Sequence, residues 1–174
     1  MASEDDPACA VAHGEGEIRH QAAGRTLLTV FASPVAGYLL RYAPDLGYRA
    51  ALYEPDPDRA KALSEPDAEV FTELPELDES AEVVVTDHHR PELGPALRDV
   101  LAHRVRWVGV MGNPRHPGPH IEALKRLGVS GDDIARVHRP VGLNIGSRTP
   151  PEIAIATLAG LLADRNGRSG GFHF

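Results

Sequence analysis

Residues 25 to 53 constrain the fold more than any other stretch, because strand, turn, helix and strand follow one another there within a single βαβ length. RTLLTVFA, Arg25 to Ala32, is a short apolar run rich in strand formers, and it gives way at once to Ser33-Pro34. That pair supplies an N-cap and a first-turn proline for a helix running to about Leu46, with Val35, Leu39, Leu40 and Tyr42 as its apolar face. Pro44 lies near its end and Gly47 follows as a stop. YRAALY, Tyr48 to Tyr53, reads as a second strand that ends at Glu54-Pro55-Asp56.

The alternation continues. A short helix near Asp58 to Leu63, a third strand near Ala68 to Thr72 and an acidic loop precede EVVVT, Glu82 to Thr86, an apolar run of the kind buried in a parallel sheet. Asp87-His88-His89 stands at its carboxyl end, and a helix from Pro91 to about His103 leads to VRWVGVM, Val105 to Met111. Two further helices, near Gly118 to Leu127 and Asp132 to Val137, bring the chain to its last segment. This pattern predicts an α/β domain, a doubly wound, mainly parallel, Rossmann-like sheet with helices on both faces. It spans residues 25 to 168, between a loose arm (1–24) and a short tail (169–174).

The last segment is a polar turn feeding a well-capped helix. Thr149 is a natural N-cap, Pro150 fits the first helical position and Glu152 completes a capping box. The run from Ile153 to Ala163 is almost wholly apolar, which predicts a buried helix ending at Arg165-Asn166-Gly167. Before it, Gly142, Asn144, Gly146, Ser147 and Arg148 cluster where free N–H groups and the positive helix end favour an anion. A cap and a tight turn explain the box alone; a glycine-flanked Ser-Arg is more than a cap needs.

Composition narrows the partners. Glu54 to Glu92 holds thirteen acidic residues against three basic ones, whereas Arg98 to Arg168 holds eleven basic against six acidic. No long basic stripe with interleaved aromatics appears, which argues against nucleic acid. No apolar run approaches the roughly 18 residues of a membrane span, and the first 25 residues lack a signal peptide's apolar core, so a cytoplasmic protein is expected. The single cysteine, Cys9, excludes an internal disulfide and a multi-cysteine metal cage; with His13 it lies in the acidic leader, where an inert thiol is expected.

Ligands of doubly wound sheets bind beyond the carboxyl ends of the strands. The exits here are Phe31 to Pro34, Glu54, Asp87 to His89 and Gly109 to His116, joined by the turn Gly142 to Thr149. They predict one pocket for a phosphate-bearing ligand, lined by Ser33, Glu54, His88, Gly109, Gly112, Asn113, Arg115, Gly146, Ser147, Arg148 and Thr149. A dinucleotide fold would place G-x-G-x-x-G or A at the first exit, but Phe31 to Ala36 keeps only the small last position. Glu54 sits where a ribose-binding carboxylate belongs, and a solvated acid is the other reading. His88 and His89, adjacent on a strand, are expected to point to opposite faces and not to chelate one metal together; one could donate to an anion or move a proton, or neither. H-E-x-x-H, G-x-S-x-G and P-loop signatures are absent, and no catalytic or metal-ligating set is assigned.

VGLNIGSRTPPEIAIATLAGLLADRNG (141–167), WVGVMGNPRH (107–116) and EVVVTDHH (82–89) together resemble the carboxyl-terminal Rossmann-like domain of the XdhC/CoxI family, over about residues 25 to 168 and in the same order. In the tail, Gly142, Gly146, Arg148, Thr149, Pro150 and Glu152 match the family pattern, with Asn144 and Ser147 as mild variants. Gly109, Gly112 and Arg115 match the exit after WVGVM, while Asn113, Pro114 and His116 depart from the usual G-S-R-R. His88 matches the family's histidine, followed by His89 where an aspartate is usual. The glycine-rich first turn is lost, and residues 1–24 are too few for the family's separate cysteine-bearing domain.

The resemblance implies a bacterial accessory factor, commonly a homodimer. Such a factor binds molybdenum cofactor, as molybdopterin or its dinucleotide form, assists its sulfuration by a cysteine desulfurase and delivers it to an apo-molybdenum hydroxylase of the xanthine or CO dehydrogenase type. Two other readings stay open from the residues themselves: an NAD(P)-binding oxidoreductase with a degenerate glycine turn, and a ligand-free pseudo-Rossmann interaction module.

Overall fold

The computed structural model describes residues 24–171, apart from positions 64, 66 and 114. Cys9 and His13, on which the arm's reading rests, lie outside the described residues, as does the end of the tail. Six strands form one sheet in the order β3-β2-β1-β4-β5-β6, and every neighbouring pair is parallel. They are β1 (Thr26–Val30), β2 (Arg49–Tyr53), β3 (Ala68–Phe71), β4 (Ala81–Val85), β5 (Trp107–Val110) and β6 (Val137–His138). β1 and β4 lie at the centre, in register from Thr26 opposite Ala81 to Val30 opposite Val85, and every residue of both is buried. That double burial is why TLLTV and AEVVV read as continuous apolar runs rather than as an alternation.

The helices are α1 (Pro34–Tyr42), α2 (Pro57–Ala62), α3 (Leu93–Leu101), α4 (Pro119–Arg126), α5 (Gly131–Ala135) and α6 (Pro150–Arg165), with a 3₁₀ turn at Pro44–Leu46. α1 and α6 cover one face, where Leu27, Leu39, Leu40, Leu52, Val84, Leu158 and Leu161 form one core. α3 and α4 cover the other, where Leu28, Val30, Phe31, Val83, Val85, Leu97 and Leu124 form the second. The acidic segment between β3 and β4 carries no helix; its Leu74 and Leu77 pack onto the second core and close the crossover.

Two boundaries and one burial pattern differ from the sequence expectation. α1 stops at Tyr42 because Pro44 cannot continue an α-helical hydrogen-bond ladder, and the chain tightens into the 3₁₀ turn before Gly47 takes the left-handed conformation at φ +78°. The helix expected to reach Val137 ends at Ala135, and Val137–His138 instead pair with Val108 and Gly109 as the sheet's edge. Two residues are too few for any period to register. α6 is buried along one face only: Ala154, Thr157, Leu158 and Leu161 are inside, while Ile155 is 53% exposed. Its apolar residues run round the whole helix, so no sequence period marks which face the sheet covers.

The loop before α6 folds back onto it. Gly142 has φ +89°, and a Cβ there would come within 2.9 Å of the Ala156 backbone, while one on Gly160 would come within 2.9 Å of Gly142 Cα. Leu143 N donates to the Ala156 carbonyl at 3.0 Å across this contact. The two glycines therefore let loop and helix touch backbone to backbone, which fixes the start of α6 at the carboxyl edge of the sheet.

Candidate functional site: a cationic cleft beside a closed first turn

The carboxyl edge has two unlike halves. Over β1 and β2 the chain closes on itself. Phe31 holds φ +73°, the one positive φ outside glycine among the described residues, and its ring is fully buried. Glu54, also fully buried, accepts from Ala32 N at 2.8 Å and from Asp56 N at 3.0 Å. Arg90, arriving from the β4 exit, donates two bonds to the same carboxylate at 2.8 and 3.1 Å and lies over the Phe31 ring at 4.8 Å. Burial pushes the Glu54 carboxyl up, but the bonds from Arg90, Ala32 and Asp56 outweigh it and hold the group below the usual carboxylate range.

Ser33 caps α1 by accepting from Ala36 N at 3.0 Å and donates its hydroxyl to Thr86, which donates on to the Phe31 carbonyl. Ser33 and Glu54 are therefore where the sequence placed them, at the strand exits. Both are engaged within the protein. Glu54 in particular is turned inward with both oxygens bonded, a correction to its reading as a ribose ligand or a solvated acid.

Over β4, β5 and β6 the edge is open. A cleft of about 570 Å³ is lined by His88 and His89 from the β4 exit, Asn113, His116, Pro117 and Pro119 from the β5 exit, and Arg139 from the β6 exit. The guanidinium of Arg139 reaches back to donate to the His116 carbonyl at 2.7 Å and the Asn113 carbonyl at 3.0 Å, which holds the β5–α4 loop open around it. Gly112 makes room: its φ is +157°, and a Cβ there would come within 2.6 Å of Arg139 Nη2. Among the described residues no carboxylate lines the cleft or pairs with Arg139.

Two buried polar atoms beside the cleft lack partners among the described residues, Nε of Arg139 and Nδ1 of His120. His120 is 3% exposed, and its Nδ1 lies against Gly118, between the two prolines of the cleft wall, where a Cβ would come within 2.7 Å. Burial holds the imidazoles of both His88 and His120 below the ordinary histidine range, with the positive charge of Arg139 adding to the effect. Arg139 thus supplies the standing charge at neutral pH, and the half-buried His88 and buried His120 are neutral donors and acceptors.

The sequence expectation for the paired histidines changes. β4 ends at Val85, so His88 and His89 stand in the following turn, fixed by the Asp87 carboxylate accepting from His89 N at 2.9 Å. Their rings lie 4.0 Å apart on the same cleft, not on opposite faces of a strand. Among the described residues no group of three or more His, Cys, Asp or Glu side chains is arranged to hold a metal.

The remaining expected residues fall in three places. Asn113 lines the cleft, and its side chain accepts from Arg115 N at 2.9 Å, leaving Arg115 exposed on the rim. Gly109 lies within β5, where a Cβ would meet the Trp107 ring at 2.3 Å; its role is to seat that ring, which stacks on His138 at 4.9 Å. Gly146, Ser147, Arg148 and Thr149 form the approach to α6, but the helix end is capped by its own Glu152, which accepts from Arg148 N at 2.7 Å and Thr149 N at 3.1 Å. Those N–H groups answer a carboxylate of the chain itself. Arg90, Arg139, His116 and His120 carry no site signal in the sequence; the arginines follow T-D-H-H and V-H, where only contacts across strand exits give them meaning.

A six-stranded parallel sheet in this order, with a polar cleft beyond its carboxyl ends, defines the Rossmann class of ligand-binding domains. Within that class the chain belongs to the XdhC family: residues 27–161 match the model of the XdhC Rossmann domain. It is 40% identical over 76 residues to YqeB, an uncharacterized protein of Escherichia coli strain K12, in a segment covering 44% of this chain and 14% of that one. It is also similar to the crystal structure of a protein from Bacillus halodurans described as a xanthine dehydrogenase, with a TM-score of 0.66 at 23% identity over 82% of this chain and 45% of the other. The chain thus spans less than half the length of either relative.

Proposed function

We propose that this protein is an accessory factor in the maturation of a molybdenum hydroxylase of the xanthine dehydrogenase type, and that it holds the molybdenum cofactor by its phosphate end in the cleft of Arg139. Membership of the XdhC family supports the maturation role. The observation that carries the site is a cleft beyond β4, β5 and β6 that holds an arginine and three histidines and, among the described residues, no carboxylate. Arg139, Asn113 and His88 are of the right chemistry for a phosphate ester: one fixed charge, an amide and an imidazole, held neutral by burial, that can gain a proton as the anion arrives, with the His116 side chain beside them. When bound to a hydroxylase, the cofactor supplies the redox-active metal. This chain's part is to hold and orient it, since no described residue in the cleft is a nucleophile suited to sulfur transfer.

The apo-hydroxylase, a cysteine desulfurase and a second copy of the chain are the partners this reading calls for, in the bacterial cytoplasm. Among the described residues no helix is long and apolar enough to cross a membrane. An NAD(P) oxidoreductase is disfavoured by the Arg90–Glu54 pair, which fills the turn a pyrophosphate would need. The test is reconstitution. A hydroxylase produced in cells lacking this protein should be folded but inactive, and should gain activity when this protein, preloaded with cofactor, is added. Equal activity with and without it would overturn the accessory role.

A further inference from the structure

We propose that the cleft selects a planar heterocycle bearing one phosphate group, and that the Arg90–Glu54 bridge excludes dinucleotides from this domain. The inference rests on the cleft being the anion site, and it deepens that reading by naming the class of ligand. In doubly wound sheets a dinucleotide lies across the crevice where strand order reverses, with its pyrophosphate on the first βα turn. Here the reversal falls between β1 and β4.

The bridge runs over that point, since Arg90 follows β4, Phe31 and Ala32 follow β1, and Glu54 follows β2. Ala32 N, which a glycine turn would offer to a phosphate, is bonded to a carboxylate instead. A second phosphate would find the Ala32 N–H already taken by Glu54 and the backbone of the turn tied by Thr86. Arg90 is no substitute anchor, because its side chain is 8% exposed and both its terminal nitrogens are on Glu54.

The half beyond β4, β5 and β6 has what the other lacks. Its volume of about 570 Å³ falls in the range of small-ligand sites. Arg139 offers a single charge, enough for one phosphate, and Pro117, Pro119 and the paired imidazoles of His88 and His89 offer flat faces for a ring. His120 Nδ1 and Arg139 Nε, buried in the wall behind the cleft, have no hydrogen-bond partner among the described residues.

The experiment compares ligands that share a ring and differ in phosphates, by fluorescence and calorimetric titration of the full chain with riboflavin, flavin mononucleotide and flavin adenine dinucleotide. The mononucleotide is expected to bind at least about tenfold more tightly than either of the others, and Arg139→Gln to weaken it about tenfold or more. Histidine ring resonances of the wild-type protein should shift with the mononucleotide, which locates the site without any variant. Equal or tighter binding of the dinucleotide, no binding of the mononucleotide at millimolar concentration, or mononucleotide binding indifferent to Arg139→Gln would each overturn the proposal. Should the dinucleotide form of the pterin cofactor bind as well as the monophosphate form, the selectivity fails while the accessory role stands. Should neither pterin form bind while the mononucleotide does, the accessory role fails and the site stands.

Discussion

Arg90 and Glu54 form a buried ion pair that joins the exits of β4 and β2 at 2.8 Å. With Glu54 fully buried and Arg90 8% exposed, neither charge can recover its hydration if the other is removed. Glu54→Ala should therefore destabilise the protein by about 3–5 kcal/mol in urea unfolding, whereas Asp99→Ala, which breaks the exposed pair with Arg98, should change it by less than about 1 kcal/mol. At the opposite edge of the sheet, burial pushes the Glu82 carboxyl up to about 7 against the pull of Arg106, although Arg165 and the Tyr48 hydroxyl also bond to it. A carboxyl whose folded value lies above its unfolded one stabilises the protein below the unfolded value, near 4.5, and that contribution is lost as pH rises to about 7. Urea midpoints of the wild type should fall across that window, and those of Glu82→Gln should lack this component of the slope. In the cleft the sign is set by depressed histidines: an arriving anion favours their protonated forms, so sulfate, whose own charge is constant, should bind more tightly as pH falls through about 6.5 and below it. Sulfate affinity that is flat or rises with pH would show that these imidazoles do not face the anion.

Among the elements, α6 shows what sequence can and cannot convey. Its cap, its start at Pro150 and its end at Arg165 were legible because they depend on local chemistry: Thr149, Glu152 and the stop at Asn166-Gly167. Its contact with the preceding loop was not, because Gly160 matters only through Gly142, eighteen positions earlier. Replacing Gly160 by Ala adds up to about 1 kcal/mol of helix propensity, but the new methyl would press on backbone atoms that cannot turn aside, at a cost of about 1–3 kcal/mol. Gly160→Ala should therefore lower the melting temperature, and a rise would mean that the loop moves away freely. The same division runs through the strands. β1, β2 and β4 were readable as apolar runs with turn chemistry at their ends, while β6 has two residues and exists only through its pairing with β5. The site divides likewise. Strand exits are found by reading along the chain, and His88 and Asn113 were found that way. Arg139 and Arg90 act across exits, and nothing in their own neighbourhoods distinguishes an arginine that opens a cleft from one that closes a turn.

At the scale of the whole molecule, one edge of a Rossmann sheet has been divided between closure and access. The β1–β2 half keeps the fold's geometry while its phosphate turn is occupied by a buried carboxylate, and the β4–β6 half keeps an arginine with no carboxylate beside it among the described residues. Such a division suits a protein that carries a ligand rather than one that cycles a nicotinamide. Apolar side chains also remain open on the far side of α6, where Tyr42, Leu46, Ile155 and Leu162 border a groove well away from the strand exits. The most direct test of the account is anaerobic calorimetric titration of the wild type and Arg139→Gln with molybdenum cofactor, beside NAD and NADP and with melting temperatures recorded for both proteins. Binding of the pterin at about micromolar affinity or tighter, about tenfold or more weaker in a folded Arg139→Gln variant, and no heat from either nicotinamide cofactor, is the expected result. Binding of NAD or NADP with none of the pterin would contradict it.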